Sequence, residues 1–171
     1  MPARTRARAV ACVLVSIFVV AGCGFGFGRP GYGDSVNGIA CDKGGNVSFR
    51  ASVHLWLIKK DGQREGPTGR VGSSGSACSY WVQTQDDEGV IHILAPYPVT
   101  PKLITFFMIW DYAIPAGSGN SGPFRDASER GRILVDGTLV EGGPARVFLV
   151  DGQTIELFEP DTDPPSLLPG I

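Results

Sequence analysis

Between Asn46 and Ile58 apolar and polar positions alternate. Val47, Phe49, Ala51, Val53, Leu55 and Leu57 take turns with Ser48, Arg50, Ser52, His54, Trp56 and Ile58. Successive side chains of a β-strand point to opposite faces, so this period predicts a long strand with one buried face. Asp61-Gly62 then supplies a hairpin turn, and residues 63–77 are Gly/Ser-rich and irregular. The runs Ser79–Gln85 and Val90–Leu94 flank Asp86-Asp87-Glu88-Gly89 and predict a second hairpin. A four-residue loop sets Gln83 opposite His92, whereas a two-residue turn at Glu88-Gly89 sets Gln85 there.

The period changes after Thr100. Thr100 can cap a helix, Pro101 suits its first position, and Leu103, Phe106, Phe107 and Trp110 fall on one face of a short helix ending before Pro115. Residues 116–131 read as a polar Gly/Ser loop. Asp136-Gly137 and Asp151-Gly152 sit between apolar runs (132–135 with 138–140, and 146–150 with 153–158) and predict two more hairpins. The fold expected is mainly β, an antiparallel sandwich or open barrel with one short helix near 101–110. The alternative is an α+β arrangement with that helix packed on a single sheet.

The amino-terminal stretch follows a different pattern. Arg4, Arg6 and Arg8 precede the apolar run Ala9–Val20, which is the layout of a secretory signal. The run closes on Val20-Ala21-Gly22-Cys23, which resembles the lipobox of bacterial lipoproteins. That resemblance implies cleavage between Gly22 and Cys23 and acylation of the Cys23 thiol, so that membrane lipid is the first partner. Ala9–Gly28 is also uncharged and about as long as a membrane span. A transmembrane anchor and ordinary cleavage with release therefore stay as alternatives. The division that follows is a signal peptide over 1–22, a Gly-rich flexible tether over 23–45, a β domain over 46–159 and a disordered Pro-rich tail over 160–171.

Charge and cysteine usage narrow the function classes. The leader holds three of the fifteen basic residues and none of the seventeen acidic ones, so the mature chain carries −5. That sign argues against nucleic acid as a partner. Cys12 departs with the leader and Cys23 takes the lipid, which leaves Cys41 and Cys78. In an oxidising compartment these two are expected to pair, the alternative being two buried free thiols.

Candidate chemistry is sparse. The block Cys78-Ser79-Tyr80-Trp81-Val82-Gln83-Thr84-Gln85-Asp86, then Gly89-Val90-Ile91-His92-Ile93, then Phe106-Phe107-Met108-Ile109-Trp110, resembles an uncharacterised family of exported prokaryotic β domains. The pattern in that family is C-x-Y-W-L-H-T-H-D, G-I-I-H-I-E-x-P and F-F-x-I-W-G, and its clustered imidazoles imply a metal site. His54 and His92 match, but Gln83 and Gln85 stand where the family has His. Neutral amides are poor ligands for zinc or copper, so a His92–Gln hydrogen bond is the expectation, with a His54/His92 metal site as the alternative. Trp56 lies on the face opposite the regular apolar row and is a candidate ligand platform with Tyr80 and Trp81. Ser73, Ser74 and Ser76 sit in G-S-S-G-S, which lacks the nucleophile-elbow spacing, and there is no phosphate-binding Gly motif. No cofactor is expected. The functional expectation is a lipoprotein on the extracytoplasmic face of the cell membrane, with a non-enzymatic domain that binds an envelope protein or wall component. A metal-binding domain and an envelope hydrolase are the alternatives.

Overall fold

The computed structural model describes residues 33–73, 78–86, 88–112 and 121–162. The leader, Cys23, Ser74, Ser76 and the tail beyond Thr162 lie outside the described residues. The strands and helices in order are β1 (Cys41–Asp42), β2 (Phe49–Ile58), β3 (Arg64–Glu65), β4 (Ser79–Tyr80), β5 (Val82–Thr84) and β6 (Val90–Ala95). There follow α1 (Leu103–Tyr112), α2 (Gly122–Arg130), β7 (Arg132–Val135), β8 (Thr138–Val140) and β9 (Thr154–Phe158). The fold is mainly β, as the alternation requires.

One sheet runs in the order β5-β6-β2-β9-β7-β8, with β3 added beside β2, and β1 and β4 form a separate two-stranded ribbon. The long strand β2 is central. Ala51, Val53, Leu55 and Leu57 face inward, and across the sheet Ile91, Ile93, Ile155, Leu157 and Ile133 continue that layer. Helix α1 covers it with Leu103, Phe106, Phe107, Ile109 and Trp110, all buried. This helix starts two residues later than its sequence cap suggests. The Pro101 carbonyl accepts from the Leu149 N–H, and Lys102 bridges Phe148, so both residues are already committed outside the helix.

Three expectations are corrected. First, Arg146–Val150 and Thr154–Phe158 do not form a hairpin. The Asp151-Gly152 turn hooks onto β2 instead: Gly152 N–H donates to the Ser52 carbonyl, and the Asp151 carboxylate accepts from Ser52 N–H. This feeds β9 alongside β2 in parallel, the one parallel pairing among the described strands, so the sheet is not purely antiparallel.

Second, the described residues hold two helices rather than one. The stretch read as loop contains α2, which buries Phe124, Ala127 and Ser128. Asp111 of α1 fastens its start, accepting from the Ser121 hydroxyl and, at 2.8 Å, from Arg125. The Trp110 and Phe124 rings meet at 5.3 Å.

Third, the flexible tether does not extend to residue 45. Val36 and Ile39 are buried and exchange backbone hydrogen bonds, Asn37 donates to the Thr105 hydroxyl, and β1 pairs with β4. The expected Cys41–Cys78 disulfide locks that ribbon in place. No helix among the described residues is long and apolar enough to cross a membrane.

Candidate functional site

Alternation on β2, β5 and β6 sends a second set of side chains to the outer face. The four-residue loop is the one realised, so Gln83 lies opposite His92, and His92 lies opposite Ser52 on its other side. The expected Gln83–His92 hydrogen bond is not formed. His92 Nδ1 lies 3.4 Å from Ser52 Oγ instead. His54 is exposed and opposite Val90, which places the two imidazoles diagonally on neighbouring strands. Among the described residues no group of three His, Cys, Asp or Glu side chains is placed to hold a metal.

The Ser52–His92 contact also lacks a requirement of nucleophilic catalysis. No carboxylate among the described residues orients the far ring nitrogen, and the one near Ser52, Asp151, binds its backbone N–H.

The aromatic candidates prove to be packed. Trp56 lies over Gly89, where an added Cβ would come within 3.1 Å of the indole, and it covers a small cluster of Ile58, Leu134 and Phe158. Tyr80 is buried, and its hydroxyl donates to the Asp34 carbonyl at 2.8 Å. Trp81 donates from Nε1 to the Asp42 carboxylate and takes the edge of Tyr97 at 5.3 Å. None of the three is an open platform.

Two adjoining clefts meet at Gln83 instead. One, of about 220 Å³, is lined by Asp42, Asn46, Ser79, Trp81 and Gln83. The other, of about 270 Å³, is lined by Arg70, Ser73, Ser79, Gln83, Thr84 and Gln85. Gln83 is 8% exposed, and its carboxamide makes no hydrogen bond to any described residue.

Behind Gln83 the backbone of a neighbouring loop approaches closely. Gly72 has φ +78°, and a Cβ there would sit 2.6 Å from the Val82 carbonyl oxygen and 3.2 Å from Gln83 Cβ. Only glycine accommodates both the backbone angle and the contact. The Thr84 hydroxyl then ties this loop to β5, accepting from Val71 N–H and donating to the Gly69 carbonyl.

The two clefts share Ser79 and Gln83, and Asp42 lines the first and Arg70 the second. Neither Asp42 nor Arg70 makes an ion pair with a described residue. A larger open hollow of about 500 Å³ lies between α2 and the β7–β8 hairpin. Its buried polar side chain, Ser128, is already bonded to the Arg125 carbonyl.

Of the residues singled out in the sequence, Tyr80, Trp81 and Gln83 line the first cleft and Ser73, Gln83 and Gln85 the second, while His92 lies across the strands from Gln83. Trp56 lies at the far end of β2. Sequence reasoning missed Asp42, Ser79, Asn46 and Arg70. A signal for two of them was present: once Cys41 and Cys78 are paired, the residues that follow them become neighbours, and Asp42 and Ser79 are indeed cross-strand partners. No protein-family model, curated protein or solved structure matches the chain.

Proposed function

We propose that this protein is a lipoprotein of the extracytoplasmic membrane face, held by acyl chains on Cys23, whose β domain binds an envelope partner rather than catalysing a reaction. The observation that carries this reading is the Cys41–Cys78 disulfide. Protein disulfides persist in oxidising compartments and are rare in the cytosol, so the bond agrees with the export that the leader implies. Anchoring by the Val20-Ala21-Gly22-Cys23 motif supplies the means of staying there, since two or more acyl chains hold a protein at a bilayer where one does not. A binding role is supported by the two clefts at Gln83, which offer hydrogen-bonding and charged groups with no oriented nucleophile among the described residues.

The test is made in the native host, by growth with an alkyne-bearing palmitate analogue and intact-mass analysis of the purified protein. The expected protein begins at Cys23, carries diacylglyceryl mass and takes the label, and Cys23→Ala abolishes both label and cleavage. A mature chain with an unmodified thiol at position 23 would overturn the reading.

A further inference from the structure

Three of the four large apolar side chains exposed among the described residues gather at one end of the sheet. Tyr97, Phe148 and Val150 are 54%, 49% and 47% exposed, and the fourth is Leu139 on β8. Strand β6 ends at Ala95, opposite the first residue of β2, Phe49, and Tyr97 follows two residues later. The Pro101 carbonyl accepts from Leu149 N–H, and Val150 leads into the Asp151-Gly152 turn that hooks onto Ser52, near the start of β2. Tyr97 is four residues from Pro101, a span of at most about 14 Å.

Cations share this end. Arg146, Phe148 and Val150 form the outward row of one extended segment, whose Val147 and Leu149 are buried. The Lys102 ammonium lies over the Phe148 ring, 5.1 Å from its centre, and Arg50 is exposed on the second residue of β2. None of these three cations makes an ion pair with a described residue. The ion pairs lie instead at the far end of β2, with Lys59 and Arg64, or on α2, with Arg125 and Arg130. Two carboxylates are near and are otherwise engaged: Asp151 accepts from Ser52 N–H, and Asp42 accepts from Trp81.

The core of a protein–protein interface is depleted of lysine, whereas here an ammonium sits on the apolar group itself. Apolar side chains interleaved with cations, a tyrosine among them, suit the boundary between headgroups and acyl chains. We propose that this end of the domain docks on a bilayer surface bearing anionic headgroups. Tyr97, Phe148 and Val150 enter the headgroup layer, and Arg50, Lys102 and Arg146 meet the phosphates. The chain carries −2 overall, but charges more than about 10 Å away are largely screened at 0.1 M salt, so the cations at the contact decide its sign. The docking goes beyond the anchoring proposed above and does not require it. The two are compatible, because Asn37 donates to the Thr105 hydroxyl and Thr105 N–H to the Lys102 carbonyl, which brings the segment that follows Cys23 past the same end.

The chain from residue 23 onward, secreted with Cys23→Ser so that it carries the disulfide and no acyl group, provides the assay. It is centrifuged with vesicles of phosphatidylglycerol and phosphatidylcholine in equal parts, and with phosphatidylcholine alone. Partition is expected into the anionic vesicles and not the neutral ones. Arg50→Gln and Lys102→Gln should each weaken it about fivefold, the equivalent of about 1 kcal/mol for one cation at an anionic surface. Phe148→Ser with Val150→Ser should weaken it about tenfold or more, as lost burial of two apolar side chains requires. Lys60→Gln and Arg70→Gln, exposed and without ion pairs but at the opposite end, should leave it unchanged. Absence of partition, or equal partition into both kinds of vesicle, would overturn the proposal. So would losses in the Lys60 and Arg70 variants equal to those at Arg50 and Lys102, or a Phe148-dependent dimer at sedimentation equilibrium without lipid. Because the assay contains no acyl chain, failure of the palmitate label leaves each of these outcomes standing.

Discussion

The disulfide is the sharpest structural test, because its magnitude follows from chain length. Cys41 and Cys78 are 37 residues apart in sequence. Closing a loop of that size in the unfolded chain removes entropy worth roughly 4 kcal/mol at 25 °C in the chain-entropy treatment. The strand pairing itself is short, since β1 and β4 pair over two residues each, far below what a two-stranded sheet needs to stand alone. The Cys41→Ala/Cys78→Ala double variant should therefore lose about that amount, lowering the melting temperature of the domain over residues 33–162 by about 10–15 °C. The loss should also be uneven. Hydrogen exchange at Ile39 and Tyr80, whose amides donate to Val36 and Gly72, should accelerate far more than at Val53 or Ile155 in the sheet interior. Calorimetry on the double variant and on the reduced, alkylated parent provides the measurement. A melting temperature within about 2 °C of the parent's would refute the reasoning, since it would mean the ribbon is held by contacts other than the bond.

Two further outcomes test packing and charge. Gly131→Ala should destabilise by about 3 kcal/mol or more, because its Cβ would lie 1.9 Å from the Phe158 carbonyl oxygen and 2.6 Å from that of Ala127, neither of which can yield without breaking α2 or the β7–β9 pairing; urea denaturation would read the loss, and a change below about 1 kcal/mol would contradict it. The Arg130 hydrogen bond and charge beside Asp126 hold its carboxyl below the ordinary 3.8, so its contribution to stability is present at neutral pH and is lost as pH falls through that lowered midpoint; carbon-detected NMR titration should show the depressed midpoint, and Arg130→Gln should return it toward 3.8.

How much of this was legible in the sequence depended on whether the signal was local. The alternation of β2 stood out because one face of that strand packs against α1 and the other does not. The β5–β6 and β7–β8 hairpins were readable because each turn joins strands adjacent in sequence. The alternation at 146–150 was equally regular, with Val147 and Leu149 buried and Phe148 and Val150 exposed. Yet its partner is the start of α1, and no local pattern encodes a partner that distant.

Helix α2 was hidden for a related reason. It presents two apolar side chains, Phe124 and Ala127, too few for a periodic stripe, and it is held by Asp111 and Trp110 from the preceding helix. In the stretch before β1, glycine content masked Val36 and Ile39, which join a core built from segments distant in sequence. The cleft lining was legible in Gln83 and Gln85, which depart from an expected pair of histidines, and in Trp81 and Ser73, singled out as aromatic and serine candidates. Asp42 and Arg70 come from segments that reach the clefts through tertiary structure.

The segment from Gly33 to Asp42 joins anchor and cleft. Cys23 precedes Gly33 by ten residues, and a chain of that length spans about 35 Å fully extended, or about 18 Å as a flexible coil. With acyl chains on Cys23, Gly33 would therefore stay within that reach of the bilayer surface. The Gly33 N–H meets the Tyr80 hydroxyl, and nine residues later the same segment supplies Asp42, pinned by the neighbouring disulfide. Under the anchoring proposed above, Asp42 would be the cleft-lining residue nearest the anchor along the chain. Under that anchoring, tension carried by this segment would reach the Cys41–Cys78 bond before the sheet.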